Sequence, residues 1–447
     1  MALSAPTPAF VPGRRLLVVA AGLLPLAVLA ALLGMPWSLL LPAAAALVVI
    51  TGLAADGFRG PAADELVLSR ELPRRLEVGT ASSITLRLRN RGSRTWTVVL
   101  SDGCPPSLCE EPPVLELVVP PGAEATATYE VHPRRRGALS FGSPLLRILG
   151  RAGWAEHIRT MDLPGEARVL PGLEGLRRHR LRARRDLMHL GGARRMRVLG
   201  RDGDFDRLRD FVPGDDVRHV DWKATARLRR PIARVWQAEK AQNLVVLVDG
   251  TRLMATRAGD LTKLDHAVRA ALTLSWAGLA AGDRVAVGVF DDRMRTWIAP
   301  ASGTSRFGAL LDGLYDQQPE DRFPRYQEVA RHLLRLLSRR SLVVWLTDVL
   351  DLDQGKELLS ALTVLRSRHL SLVVALDDPQ VRALAAVEPQ DRSALYLRTG
   401  AVEVLDERRV LLRRLRAAGA QVLDEPTERL GPELVDRYLD IKMRGQL

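Results

Sequence analysis

The sequence predicts a multidomain chain in which a two-helix transmembrane hairpin is followed by an antiparallel β-sandwich and then by an open α/β sheet of Rossmann-like type. Three observations carry this expectation. Two uncharged apolar stretches stand side by side near the start, residues 16–33 and 36–55, and each comes close to the roughly 20 residues that cross a bilayer core. Short segments of alternating apolar and polar residues, broken by Pro and Gly, fill residues 64–172, the pattern of half-buried strands. Unbroken β-branched runs alternating with amphipathic stretches fill residues 241–447, and that alternation makes a largely parallel sheet covered on both faces.

Composition bounds the rest. At 447 residues the chain has room for two or three domains, and 26% charged with 47% hydrophobic residues suits globular folding with an added membrane part. A net charge of +13 raises nucleic acid as a partner. Arg greatly outnumbers Lys, however, and is spread through helices, so no nucleic-acid partner is predicted. The two cysteines, Cys104 and Cys109, flank Pro105 and Pro106. They are too few for a zinc site and leave a small disulfide or two thiols open.

Within residues 1–57, only Gly34 and Met35 separate the two apolar stretches, so the helices must be antiparallel neighbours. A secretory signal is disfavoured because its apolar core is only about 7–15 residues long and no second span follows it. Arg14 and Arg15 precede the first stretch, while Arg59, Arg70, Arg74 and Arg75 follow the second. By the positive-inside rule both ends face the cytoplasm. The expected location is the inner (cytoplasmic) membrane, multi-pass, with cytoplasmic soluble domains, and this reducing side favours thiols.

In residues 64–172, Ser83–Arg89 alternates at the strand period, and similar segments lie at Thr95–Leu100, Val114–Val119, Ala125–Val131 and Leu145–Ile148. Asn90-Arg91-Gly92 and Pro120-Pro121-Gly122 supply turns. Short strands with regular breaks suggest an immunoglobulin-like sandwich. It carries no titratable cluster and reads as a spacer or protein-binding module. Residues 173–240 form a basic linker followed by a motif-rich region.

In residues 241–447, Leu244–Val248 ends at Asp249, and Leu342–Leu346 runs through Thr347 to Asp348. Ligand sites of such sheets lie at the strand C-termini. Asp249, Thr251 and Asp348 together resemble the metal-ion-dependent adhesion site of von Willebrand factor type A domains. The resemblance implies Mg²⁺ held by hard oxygen ligands. Leu253 stands where that motif has a second Ser, and Phe323-Pro324-Arg325-Tyr326 supplies no Thr. A weak Mg²⁺ site and two carboxylates that merely accept backbone N–H groups both remain open.

No GxxxxGK[ST], HExxH or GxSxG occurs, and Asp202, Asp204 and Asp206 lack the Gly and Glu of a calcium loop. No catalytic residue and no small-molecule substrate is predicted; the chain is expected not to be an enzyme.

The most informative stretch is Gly200–Arg227, GRDGDFDRLRDFVPGDDVRHVDWKATAR. Asp215, after Pro213-Gly214, is placed to cap a short helix with Val217, Val220, Ala224 and Leu228 on one face. That leaves Asp216, Arg218 and Lys223 outside, with Arg209, Arg218 and Arg227 pairing with nearby Asp residues. Gly200, Gly203, Asp204, Phe205, Arg209, Pro213, Gly214, Asp215, Asp216, Arg218, Asp221, Trp222, Ala224, Thr225, Ala226 and Arg227 together resemble the motif of the bacterial and archaeal family called domain of unknown function 58. The resemblance implies a membrane-anchored, type A-like protein working as scaffold or adaptor with a MoxR-type AAA+ ATPase in protein maturation or assembly. The alternative expectation is a cell-envelope assembly factor acting through its β domain.

Overall fold

The computed structural model describes residues 9–13, a few positions between 18 and 32, and residues 40–58, 60–62, 64–150, 153–172, 199–212, 217–237, 241–348, 352–427 and 429–446. Contacts divide the chain into two compact units, Met1–Leu170 and Pro171–Leu447.

The first unit contains β1 (Ala9–Pro12), α1 (Leu40–Gly57), β2 (Leu66–Glu71), β3 (Arg75–Glu77), β4 (Ser82–Asn90), β5 (Trp96–Gly103), β6 (Val114–Val119), β7 (Glu124–Val131), β8 (Gly137–Leu149), β9 (Ala155–Thr160) and β10 (Gly165–Leu170). One sheet runs β1-β9-β8-β10-β3 and continues from β8 through β5 to β6; β2, β4 and β7 make a second. In β4 the alternation seen in the sequence becomes burial: Ile84, Leu86 and Leu88 are fully buried, while Arg87 and Arg89 are exposed. Both sheets contribute to one hydrophobic cluster, with Ile84, Leu86 and Tyr129 from one and Val98, Leu146 and Ile148 from the other. The turn after β4 is held by buried Asn90, whose Nδ2 donates to the carbonyls of Arg94, Val119 and Pro120 while its Oδ1 accepts from Gly92 N–H.

Across this core runs an ion pair. Arg70 on β2 donates to both carboxylate oxygens of Asp102 on β5, and Tyr129 Oη donates to Asp102 Oδ2 at 2.6 Å. Both charged side chains are buried, and burial followed by the Asp102 hydrogen bond pushes the Tyr129 phenol well up. Arg70, counted in the sequence as a flanking charge, is therefore a clamp between sheets.

The transmembrane hairpin and the multi-pass location are corrected. No helix of the described residues is long and apolar enough to cross a membrane. The first expected span, 16–33, lies largely outside the described residues. In place of the second is α1, whose 18 residues reach about 27 Å at 1.5 Å each, short of a core of about 30 Å. Its C-terminal turns are engaged by the β fold. Gly52 lies against the Trp154 indole, where a Cβ would come within 2.5 Å of the ring, and Asp56 Oδ2 accepts from Trp154 N–H at 2.9 Å. Ahead of it, Ala9–Pro12 pairs antiparallel with Ala155–Ile158. Among the described residues of α1 only these last turns are engaged; Leu47, Val48 and Ile50 ahead of them are exposed.

The expected thiols are also corrected: Cys104 and Cys109 form a disulfide. The intervening prolines fold the loop back so that the two Cα atoms lie 6.3 Å apart, within reach of a bridge. The expectation of thiols rested on the cytoplasmic topology and falls with it.

The second unit begins with a hairpin of β11 (Leu199–Asp210) and β12 (Ile232–Gln237), between which lies α2 (Trp222–Leu228). Then follow β13 (Asn243–Asp249), β14 (Arg257–Ala258), β15 (Leu261–Thr262), α3 (Lys263–Ala280), β16 (Arg284–Phe290), β17 (Met294–Ala301), α4 (Phe307–Leu314), α5 (Tyr326–Leu336), β18 (Ser341–Thr347), α6 (Leu352–Arg366), β19 (Leu370–Leu376), α7 (Pro379–Ala386), α8 (Arg392–Ala417), β20 (Gln421–Glu425) and α9 (Leu430–Met443). The main sheet runs β17-β16-β13-β18-β19-β20, parallel except for the antiparallel edge strand β17. Every residue of β13 and β18 is buried, which explains their unbroken apolar sequences.

Val245, Leu247, Val343, Trp345 and Val373 face a cluster with α5, α6 and the C-terminal part of α8. On the opposite face α3 comes so close at Gly278 that a Cβ there would lie 2.8 Å from Leu244. Phe290, Tyr326 and Trp345 pack edge to face, with centroids 5.6–6.0 Å apart. This aromatic triangle brings the start of α5 under the ends of β13 and β18.

Candidate functional site at the ends of the parallel strands

Asp249 and Asp348 come together as adjacent parallel strands place them, both fully buried. Asp249 Oδ1 accepts from Thr251 N–H at 2.9 Å, the Asx-type turn expected of a short acceptor two residues upstream, and Oδ2 accepts from Thr347 Oγ1 at 2.5 Å. Because Thr347 spends its proton on Asp249, Tyr326 Oη must donate to Thr347 Oγ1, 2.8 Å away. Burial pushes the Asp249 carboxyl up to about 6, against the lowering effect of these hydrogen bonds. Tyr326 thus reaches Thr347 from the segment where the adhesion-site resemblance would have placed a Thr.

Asp348 faces cations. Lys263 Nζ lies 2.6 Å from its Oδ2 and 2.9 Å from Asp378 Oδ2. Arg408 Nη1 stands 3.6 Å from Asp348 Oδ1, while its Nη2 donates to Ala375 O at 3.0 Å and Asp424 Oδ1 at 2.7 Å. Burial raises the Asp348 carboxyl, with Lys263 and Arg408 acting in the other direction. Asp378 is held below the usual range: burial acts upward but is outweighed by Lys263 and by the backbone N–H groups of Val381 and Gln380.

Lys263 occupies the first turn of α3, pinned by a capping box in which Thr262 Oγ1 accepts from Asp265 N–H and Asp265 Oδ2 accepts from Thr262 N–H. Lys263, Tyr326, Thr347, Asp378 and Arg408 were not identified from the sequence. One signal was present for Lys263: a cation in a helix's first turn opposes the macrodipole, so it needs acidic partners elsewhere.

The fit to Mg²⁺ fails on this geometry. Both Asp249 oxygens already take hydrogen bonds, and Asp348 Oδ2 is bound to an ammonium. Among the described residues no group of three or more His, Cys, Asp or Glu is placed to hold a metal ion.

The motif stretch lies elsewhere in the second unit. Gly203, Asp204, Phe205 and Arg209 fall on β11, with Phe205 opposite Trp236 and Arg209 opposite Ala233. Pro213, Gly214, Asp215 and Asp216 lie outside the described residues, and with them the expected cap at Asp215. The helix that is described starts later and is capped by Asp221, whose Oδ1 accepts from Ala224 N–H at 2.9 Å. Thr225 Oγ1 accepts from Ile232 N–H at 3.0 Å, and Asp221 N–H donates to Ile232 O at 2.8 Å, tying α2 to β12.

None of its residues is buried. Val217 and Leu228, expected on an inner face, are exposed, as are Val212 and Trp222, the last at 69%. Arg227 is exposed in the last turn of α2, where a cation suits the carbonyl end. Arg218 belongs to the turn Val217–His219. Arg230 and Asp210 form an ion pair at 3.1 Å in this region, both side chains largely exposed.

The comparisons with known proteins follow this division. Residues 207–408, which take in the hairpin's later part and most of the α/β sheet, match the family model described as "Protein of unknown function DUF58". The assignment of this chain to DUF58 is supported over those residues.

Uncharacterized proteins of Mycobacterium tuberculosis and Mycobacterium bovis are 24% identical over 252 residues, covering 53% of this chain and 78% of each relative. A conserved hypothetical protein, BatB from Bacteroides thetaiotaomicron, aligns over 31% of this chain and 69% of its own at 16% identity and a TM-score of 0.25. The CARDB domain of PF1109 from Pyrococcus furiosus aligns over 24% and 94% at 11% identity and a TM-score of 0.16. TM-scores this low establish no shared fold.

Proposed function

We propose that this protein is a non-enzymatic protein-interaction scaffold or adaptor that works with a MoxR-type AAA+ ATPase in protein maturation or assembly. The observation that carries the reading is a helical arm. From Pro379 to Gly400, through α7 and the first third of α8, no residue is buried, and Leu384, Val387, Leu395, Leu397 and Tyr396 (78%) stand exposed. A segment with so little core contact does not stabilise its own domain, and contiguous exposed apolar side chains mark protein-binding surfaces. Trp222 on α2 adds a second exposed aromatic within the family-matched residues. At the strand ends, by contrast, Asp348 is paired with Lys263 and both Asp249 oxygens take hydrogen bonds from Thr251 and Thr347.

The test is a binding titration between the purified full chain and the MoxR-type ATPase of the same organism. Leu395→Asp with Tyr396→Asp should weaken binding at least tenfold while leaving circular dichroism and Tm unchanged. Undiminished binding by this variant would refute the role of the arm, and no binding by the wild type would refute the ATPase as partner.

A further inference from the structure

We infer that the Lys263 ammonium takes the place of the divalent cation at the strand-end carboxylates, so that this face of the α/β sheet is assembled without metal. Five observations converge on it. Lys263 is fully buried, and a lysine gives up its hydration in such a place only for charged partners; it has two, at 2.6 and 2.9 Å. Its backbone is fixed by the Thr262–Asp265 capping box, so the ammonium is delivered to one point. Each buried cation is shared between two carboxylates: Lys263 lies against Asp348 and Asp378, and Arg408 against Asp348 and Asp424.

The remaining ligand capacity is small. Past the ends of β13 and β18, Thr251 Oγ1 and Asp348 Oδ1 are buried without a hydrogen-bond partner among the described residues; Asp292 Oδ1 past β16 and Asp377 Oδ1 past β19 are also unpartnered. At β13 and β18 this leaves two oxygens, well short of the octahedral shell that Mg²⁺ demands, and a divalent ion on Asp348 would share that carboxylate with the Lys263 ammonium against like-charge repulsion.

The direction of substitution is consistent with this chemistry. Where a type A-like metal loop would carry a second hydroxyl, this chain has half-buried Leu253, and the next residue, Met254, is fully buried. The loop is thus built on apolar packing, and the cation comes covalently attached from α3.

The experiment is a Mn²⁺ titration of the full chain, followed by the loss of free Mn²⁺ electron-paramagnetic signal, alongside Tm with Mg²⁺ and with EDTA. The wild type should show no saturable binding into the millimolar range and the same Tm in both conditions. Saturable binding that Asp249→Ala abolishes, or a Tm lowered by EDTA and restored by Mg²⁺, would overturn the inference. Lys263→Met should lower Tm, and Lys263→Met with Asp348→Asn should recover part of the loss because the orphaned carboxylate is then removed. A Lys263→Met protein as stable as the wild type would also overturn it. If that single variant does not fold, the wild-type titration alone decides.

Discussion

Replacing Asp249 by Asn should change how the stability of the second unit depends on pH. Asp249 is fully buried, and its carboxyl is raised from 3.8 to about 6 chiefly by loss of hydration. Between these values the folded chain holds a proton that the unfolded chain has released. Stability contributed at this residue is therefore present below about pH 4 and is lost as pH rises through about 6. The difference between 3.8 and about 6 corresponds to about 3 kcal/mol at 1.36 kcal/mol per pH unit.

Asn cannot titrate. Its Oδ1 can still accept from Thr251 N–H, and its Nδ2 can donate to Thr347 Oγ1. The reoriented hydroxyl then leaves the Tyr326 proton without its acceptor, at a pH-independent cost of about 1–3 kcal/mol. The constant offset cancels in a comparison across pH. Stability of Asp249→Asn relative to wild type should rise by about 2.4 kcal/mol between pH 4 and pH 7, most of the full difference. The assay is amide hydrogen exchange of β13, corrected for the intrinsic pH dependence of exchange. A relative stability that is flat over this range, or falls, would refute the assignment of a raised carboxyl to Asp249. Asp348, raised in both proteins, does not affect the comparison to first order.

Three further outcomes are expected. Trp345→Ala removes the largest fully buried side chain from the aromatic triangle and should cost roughly 3–5 kcal/mol, read as a lowered denaturation midpoint of the second unit. Arg70→Ala leaves Asp102 buried against Tyr129 without its cation and should destabilise the β unit by about 3–5 kcal/mol, measured by exchange protection of β2 and β5. Asp221→Ala should cost about 1 kcal/mol, seen only in the amides of Trp222–Leu228, because the lost cap serves a helix that buries nothing.

What could be read from the sequence was whatever depends on period. Ser83–Arg89 alternates because one side meets a core, and Leu244–Val248 does not because both sides do; each forms its strand. Burial in β13 and β18 also made the terminal carboxylates conspicuous. What failed depends on partners distant in sequence. Hydropathy alone could not tell a membrane span from a helix whose last turns meet Trp154, some 100 residues on. Arg70 reads as one more Arg until Asp102 is beside it.

Lys263, 85 residues before Asp348, was invisible for the same reason. Residues 379–408 gave no helical signal because the signal is a buried stripe, and most of this stretch has none. Asp221 caps α2 and is tied to Ile232, a partner that the local sequence does not reveal, while the expected cap at Asp215 lies outside the described residues.

Helix α8 has a mechanical property set by its length. Its 26 residues span about 39 Å. The far third is anchored by Leu411, Leu412 and Leu415, while the near third touches no core. Such a rod is a lever with its fulcrum near Ala401, and Arg408 sits just inside that point, holding Ala375 O and Asp424 with Asp348 beyond. The same tip is steadied at the other end of the hairpin, where Asp378 caps α7 with one oxygen and grips Lys263 with the other. The two ends of the arm thus meet both buried cations: Asp378 at one end holds Lys263, and the other end carries Arg408.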